Sequence, residues 1–204
     1  KSFNKKGSVS PFKNSGFMVN GRIFTVKTKA VYSGAAKNLG DVLETNNPPE
    51  NPTDLTAFYI DEDKRINLPP KIQIDGTERR LDTVWDKWRY LKGSKSELKV
   101  NKNQGYSYKY GEGKMAFPDP LDKPSRTIIT GEGGSGASRF KHVVKDGSKH
   151  RRLTPIELER LNMFPDNHTA HLEATNAKRA FFMGNALVVG VVENIGAALK
   201  SKLK

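Results

Sequence analysis

The chain of 204 residues contains no cysteine. That absence excludes disulfides, thiolate zinc sites and any reaction whose nucleophile must be a thiolate supplied by this chain. Long apolar runs are missing too. No stretch reaches the roughly 18 consecutive apolar residues of a membrane span. The opening segment KSFNKKGSVSP holds neither a signal-peptide hydrophobic region nor a lipidation motif. No membrane partner is therefore expected. Acidic residues are scarce beside basic ones, 22 against 35, which leaves a formal charge of +13. So basic a balance points to a polyanionic partner, nucleic acid before anionic lipid. Apolar residues make up 35% of the chain, enough for a modest core.

The excess charge is localised. Residues 1–48 carry eight Lys and Arg against two acids, and residues 101–152 carry eleven against five. Residues 49–100 balance at ten of each, and residues 153–204 carry six against five. Two basic segments flanking a neutral one supply attraction to phosphates through counterion release. Arg126, Arg139, Lys141, Lys149, Arg151 and Arg152, interleaved with Phe140 and His142, are either such a surface or ordinary solvated charge.

Local signals predict an α+β chain. Residues 1–16 are polar and read as a loop, while residues 21–31 alternate apolar and polar and read as a strand. Residues 46–52 (NNPPENP) are a breaker cluster. Trp85, Trp88 and Leu91 share one face of a short helix, and both tryptophans read as core. Residues 106–110, 126–130 and 138–144 read as strands in an irregular region. Thr154, Pro155 and Glu157 form an N-cap, a first-turn proline and a capping box, with Pro165 as the stop. Residues 177–183 read as a second helix that meets Gly184-Asn185. A third, from about Ala186, carries Leu187, Val188, Val191, Ile195 and Leu199 as an apolar stripe, with Lys200, Lys202 and Lys204 at its end.

Two patterns imitate ligand sites. Residues 131–136 (GEGGSG) match a dinucleotide fingerprint, but the residues that follow do not open a helix, so no pyrophosphate site is expected. His142, His150, His168 and His171 have no cysteine partners, so no metal site is expected either.

Residues 151–166 (RRLTPIELERLNMFPD) resemble motif IX of the cytosine-5 DNA methyltransferases, roughly R-x-L-T-x-R-E-x-A-R-x-x-G-F-P-D. After eleven further residues, 178–189 (KRAFFMGNALVV) resemble motif X, which centres on G-N-S/A-V. Lys123-Pro124-Ser125-Arg126-Thr127-Ile128 resembles the family's marker inside the target recognition domain, and residues 39–43 the segment leading into it. Four positions depart from the family's form, Ile156, Glu159, Met163 and Leu187, and Ala186 stands where serine is frequent. The family's Pro-Cys, Phe-x-Gly-x-Gly and Gln-x-Arg-x-Arg motifs are absent. Residues 192–195 (VENI) imitate its Glu-Asn-Val motif, but downstream of motif X and by coincidence.

The resemblance implies the C-terminal half of a bacterial, cytoplasmic cytosine-5 DNA methyltransferase. The expected architecture is a lead-in over 1–45 and an irregular β-rich recognition domain over 46–150. A motif IX scaffold helix over 151–175 and motif X with a C-terminal helix over 176–204 would pack on an absent Rossmann-like catalytic domain. In the family a thiolate attacks C6 of a flipped cytosine, a glutamate assists at N3, and C5 takes a methyl group from S-adenosylmethionine. With no cysteine, the chain alone is expected to be inactive. By resemblance, Asn185, Ala186 and Leu187 line the cofactor pocket. Arg126, Thr127, Gly133, Gly134, Ser138, Arg139, Lys141 and Arg152 are the candidate contacts to double-stranded DNA, with arginine the usual reader of guanine. The implied partner is the N-terminal catalytic half, in the same polypeptide or a separate subunit. The alternative is a stand-alone, non-catalytic sequence-specific DNA-binding module.

Overall fold

The structure, a computed structural model, describes residues 12–29, 36–74 and 77–203. Expectations for residues 1–11, 30–31 and Lys204 lie outside these. Among the described residues the chain is α+β, with four two-stranded antiparallel sheets and four α-helices. It divides after Ala36 into two compact units.

The first unit holds a hairpin of β1 (Ser15–Val19) and β2 (Arg22–Val26). Asn20 and Gly21 join the strands with φ of 48° and 73°, the pair of positive angles that a tight hairpin turn requires. Phe17 faces Phe24 across the pair, with ring centroids 5.1 Å apart. The expected strand over 21–31 is thus β2, shorter than its pattern. The expected loop over 1–16 gives way at Ser15, because an exposed ribbon needs little more than its turn and cross-strand pairs.

The second unit opens on a 3-10 turn, Leu39–Val42, whose amides at Leu39 and Gly40 donate to the carbonyls of Lys123 and Leu121 at 2.8 Å. A second such turn, Leu55–Phe58, follows, then the hairpin of β3 (Lys71–Ile74) and β4 (Thr77–Arg80). Helix α1 (Val84–Lys92) is capped by Thr83 and Asp86 and buries Trp88 completely. Trp85, half-buried, stacks on His150 at 4.5 Å and lies against Phe117. Next comes a six-residue ribbon of β5 (Lys95–Val100) and β6 (Ser107–Glu112), then the short hairpin of β7 (Val144–Asp146) and β8 (Lys149–Arg151).

Helices α2 (Pro155–Leu161), α3 (Asn176–Asn185) and α4 (Val189–Lys202) end the chain. The core gathers Leu39, Val42 and Leu43 with Val144, Leu153, Leu158, Ala180 and Met183, so α2 is the hub on which the first turn, the β7–β8 hairpin and α3 converge.

Three expectations need correction. Residues 126–130 form no strand, and of 138–144 only Val144 enters one. Their backbone is held by side chains instead: the Asp119 carboxylate accepts the Val143 amide at 2.9 Å, and Arg126 donates to the Phe140 carbonyl at 2.8 Å. The second helix runs past its expected end at Met183 to take in Gly184 and Asn185 as the last residues of α3, and the third begins at Val189 and not at Ala186. The chain extends only at Ala186, with φ −77° and ψ 155°. That break matters, because 176–202 as one run would be long and apolar enough to cross a membrane. Divided, it gives helices of 10 and 14 residues, each short of the roughly 20 that a bilayer requires.

Candidate functional site

The expected cap of α2 is present and extends far beyond the helix. Thr154 Oγ1 accepts the Glu157 amide at 3.2 Å while the Glu157 carboxylate accepts the Thr154 amide at 2.9 Å. The same carboxylate takes both Arg151 guanidinium nitrogens at 2.8 Å and the Glu44 amide at 3.0 Å. Arg151 also donates to Asp146 at 2.8 Å, and the Thr154 hydroxyl donates to Glu44. Arg151, Thr154 and Glu157 are fully buried. Burial opposes the Arg151 charge, but the Glu157 and Asp146 carboxylates outweigh it and raise its pKa. Farther along, Arg160 holds Asp166 through two bonds of 2.7 and 2.6 Å and donates to the carbonyls of Val42 and Asn47. The Arg160 bonds keep the Asp166 carboxyl below its ordinary range.

The cations expected to meet DNA converge around the glycine-rich loop, but each is engaged within the chain. Arg126 pairs with Asp119 at 2.7 and 3.1 Å. Lys141 is buried and donates to the carbonyls of Gly134 and Gly136 at 2.6 and 2.8 Å. Burial, with Arg152 nearby, lowers its pKa. Arg152 reaches the carbonyls of Gly133 at 3.2 Å and Ala57 at 2.7 Å. Arg139 donates to the carbonyls of Leu91 and Gly93 at 3.0 Å and to that of Gly113, and it pairs with Glu112 at 3.2 Å. Thr127 is exposed, and Ser138 is half-buried with its hydroxyl accepting the Phe140 amide at 3.4 Å. Gly133 packs on α3: a Cβ there would lie 2.6 Å from Ala177 Cα and 2.8 Å from Ala180 Cβ. Gly134, exposed, faces the Lys141 ammonium.

Beneath this loop runs a polar chain that composition and periodicity do not announce. The buried His142 ring joins Ser125 Oγ at 3.0 Å to Glu132 at 2.9 Å. The geometry is that of a hydrolase relay. Ser125, however, gives its hydroxyl proton to the Arg126 carbonyl at 2.9 Å, so the chain of bonds acts as a strut. Lys92, also buried, donates to the Lys141 carbonyl and lies 5.8 Å from the Trp88 ring.

The segment after α3 forms an open apolar groove with Phe164, Ala186, Leu187, Val189, Val192 and Glu193. Asn185 is exposed and its amide donates to the Phe181 carbonyl at 2.9 Å. Ala186 packs on the core, whereas Leu187 is 74% exposed. On α4 the contact with the chain is made by Gly190, where a Cβ would meet Met163 Sδ at 2.5 Å. Val192, Ile195 and Leu199 recur at helical spacing on the opposite side, and all three are exposed, as are Phe181 and Phe182 on α3.

A family model for C-5 cytosine-specific DNA methylases matches residues 5–201. The chain belongs to that family. The type II methyltransferase M.Sau3AI of Staphylococcus aureus is 36% identical to it over 185 residues, 91% of this chain and 37% of that protein. The chain thus spans a little over a third of the length of the curated relative it matches. No solved structure matches it.

The departures from the motif have partners within this chain. Met163, where the motif has glycine, adopts φ +63°, a left-handed conformation that glycine takes freely and methionine does not. Its side chain fills the space left by Gly190. Glu159, where the motif has alanine, is buried and accepts Arg179 of α3 at 2.9 Å and the Thr169 amide at 3.0 Å. The substitution therefore ties α2 to the first turn of α3. Ile156, where the motif has arginine, is buried.

Gly184 has a steric reason to be glycine: a Cβ there would lie 2.5 Å from Thr130 Cα and 2.6 Å from the Ile129 carbonyl carbon. Gly184→Ala is expected to cost about 1–3 kcal/mol in denaturant unfolding. Gly196→Ala, in open space on α4, is expected to gain up to about 1 kcal/mol instead. Equal effects would refute the packing account.

Proposed function

We propose that this chain is the DNA-recognising and clamping part of a DNA (cytosine-5-)-methyltransferase. Joined to a catalytic half, it takes part in moving a methyl group from S-adenosylmethionine to C5 of a flipped cytosine within a restriction-modification system. The observation that carries this reading is the exposure of α4. Gly190 alone on this helix is buried against the chain, while residues 191–200 are all exposed, Val192, Ile195 and Leu199 among them. A contiguous apolar face of that kind is made to be covered, and we assign it to a Rossmann-like catalytic domain bearing the Pro-Cys motif. Residues 46–150 are the recognition domain, and α2 with its buried ion pairs is the scaffold that holds it.

The groove at Ala186 and Leu187 suits one wall of a cofactor pocket, since it is apolar, open and flanked by the Asn185 carboxamide. S-adenosylmethionine would supply an electrophilic methyl group there. The residues of this chain would contribute packing at Ala186 and Leu187 and a polar contact at Asn185. The thiolate must come from the other half, because this chain has none.

Mixing decides the matter. The chain is expected to transfer no methyl group to duplex DNA alone, and to restore transfer when combined with a polypeptide holding the Pro-Cys and cofactor-loop motifs. Failure of that mixture, with both parts folded, would favour a non-catalytic DNA-binding module.

A further inference from the structure

We infer that the β5–β6 ribbon is the element that enters the major groove, with Asn103 as a base-reading residue at its tip. The inference rests on the recognition role proposed above and names the part of the chain that carries it.

The cations around the glycine-rich loop spend their donors on carbonyls and carboxylates of the chain itself. The ribbon is different. Residues 95–114 carry five lysines and two glutamates, so it is attracted to phosphates. Residues 102–111 are all exposed. Lys102, Lys109 and Lys114 form no side-chain hydrogen bond or ion pair among the described residues. The paired strands extend about 20 Å at ~3.4 Å per residue. A two-stranded ribbon is one of the two elements that the major groove of B-form DNA admits.

The two faces are chemically distinct. Register places Tyr108 opposite Lys99, and Tyr106, Tyr108 and Tyr110 follow one another at a spacing of two, on one face. Lys99 lies 3.6 Å from the Tyr110 ring centroid. The other face pairs Leu98 with Lys109 and Val100 with Ser107, and Leu98 is 75% exposed. Hydroxyls and lysines alternating along a ribbon suit phosphates on either wall of a groove.

The tip is built for presentation. Gly105, at φ +69°, closes the turn, and Asn101 Oδ1 accepts the amides of Asn103 and Gln104 at 3.0 and 3.2 Å. Asn101 is thereby consumed in holding the turn. Asn103 is exposed, and no side-chain hydrogen bond engages its carboxamide among the described residues. A carboxamide sets one donor beside one acceptor, the pattern of adenine's major-groove edge. At the root, Arg139 bonds the carbonyls of Gly93 and Gly113 on the two legs, so it is a positioning residue and not a reader.

The test uses the whole chain, alone and mixed with the catalytic half, against a randomised duplex pool that is bound, recovered and sequenced. Asn103→Ala is expected to relax preference at one base position by roughly five- to 150-fold with an unchanged melting temperature. Lys109→Ala should weaken every duplex alike and lower the salt slope by about one unit. Lys200→Ala on α4 should do neither. If the wild type selects a sequence and Asn103→Ala selects it equally well, the ribbon assignment falls and the recognition role stands. Tighter binding to single strands than to duplex would also overturn the groove assignment. If the wild type selects no sequence in either form, both fall together.

Discussion

Glu157→Ala is expected to destabilise the chain by about 3–5 kcal/mol, read from denaturant midpoints. The carboxylate is fully buried and receives two guanidinium nitrogens, the Thr154 amide and the Glu44 amide. Deleting it leaves the Arg151 charge inside the protein with only Asp146 as counter-ion, and it orphans two backbone donors. Charge left unpaired in that way costs far more than the pair gains. Joint replacement by Arg151→Met and Glu157→Leu should therefore cost less than the single change. A loss below about 1 kcal/mol for Glu157→Ala would show that water reaches the site.

Stability is also expected to rise with pH above neutrality, and Lys92 is the reason. Its ammonium is buried against Trp88 and Phe117. Burial pushes its pKa from 10.5 down to about 8, with Asp119 and Glu132 opposing the shift and Arg126 and Arg139 adding to it. Below about pH 8 both folded and unfolded chains hold the proton, and the penalty of burying the charge is complete. Between about 8 and 10.5 the unfolded chain holds a proton that the folded chain has released, so stability climbs with pH. The gain from pH 7.5 to 9.5 should be about 2 kcal/mol. Lys92→Met should remove most of that increment whatever its effect at pH 7.5, leaving the smaller rise that the lowered pKa of Lys141 contributes with the same sign. Parallel pH profiles for the two proteins would place the ammonium in contact with solvent.

What could be read from the residues was what local chemistry determines. The cap of α2 follows from Thr154, Pro155 and Glu157 alone, because a helix start is satisfied by its own neighbours. The ribbon strand near Tyr106 and the buried Trp88 were legible from alternation and size. Residues 126–130 and 138–143 were not, since a loop braced by side chains shows the same β-branched and apolar residues as a strand. Their bracing comes from Asp119, Glu132 and His142, and a buried carboxylate leaves no periodic trace. The basic cluster was legible as charge, but whether a guanidinium faces solvent or a carbonyl depends on folds of the chain dozens of residues away. Arg139 meets Gly93 and Leu91 only in three dimensions. Asn103, in a turn of ordinary composition, offered no signal at all.

The joint at the foot of the β5–β6 ribbon is made largely of carbonyl oxygens, those of Leu91, Gly93 and Gly113, gripped by one guanidinium. Carbonyl oxygens are the same whatever side chains follow them. Most of the sequence between the two legs is therefore unseen by the grip that fixes it, and the exposed residues 102–111 owe little to the core. Substitutions there escape the veto that folding imposes on α2 or Gly184. Descendants of this chain can exchange the outer ribbon wholesale, much as a tool changes its bit, while the chuck stays in place.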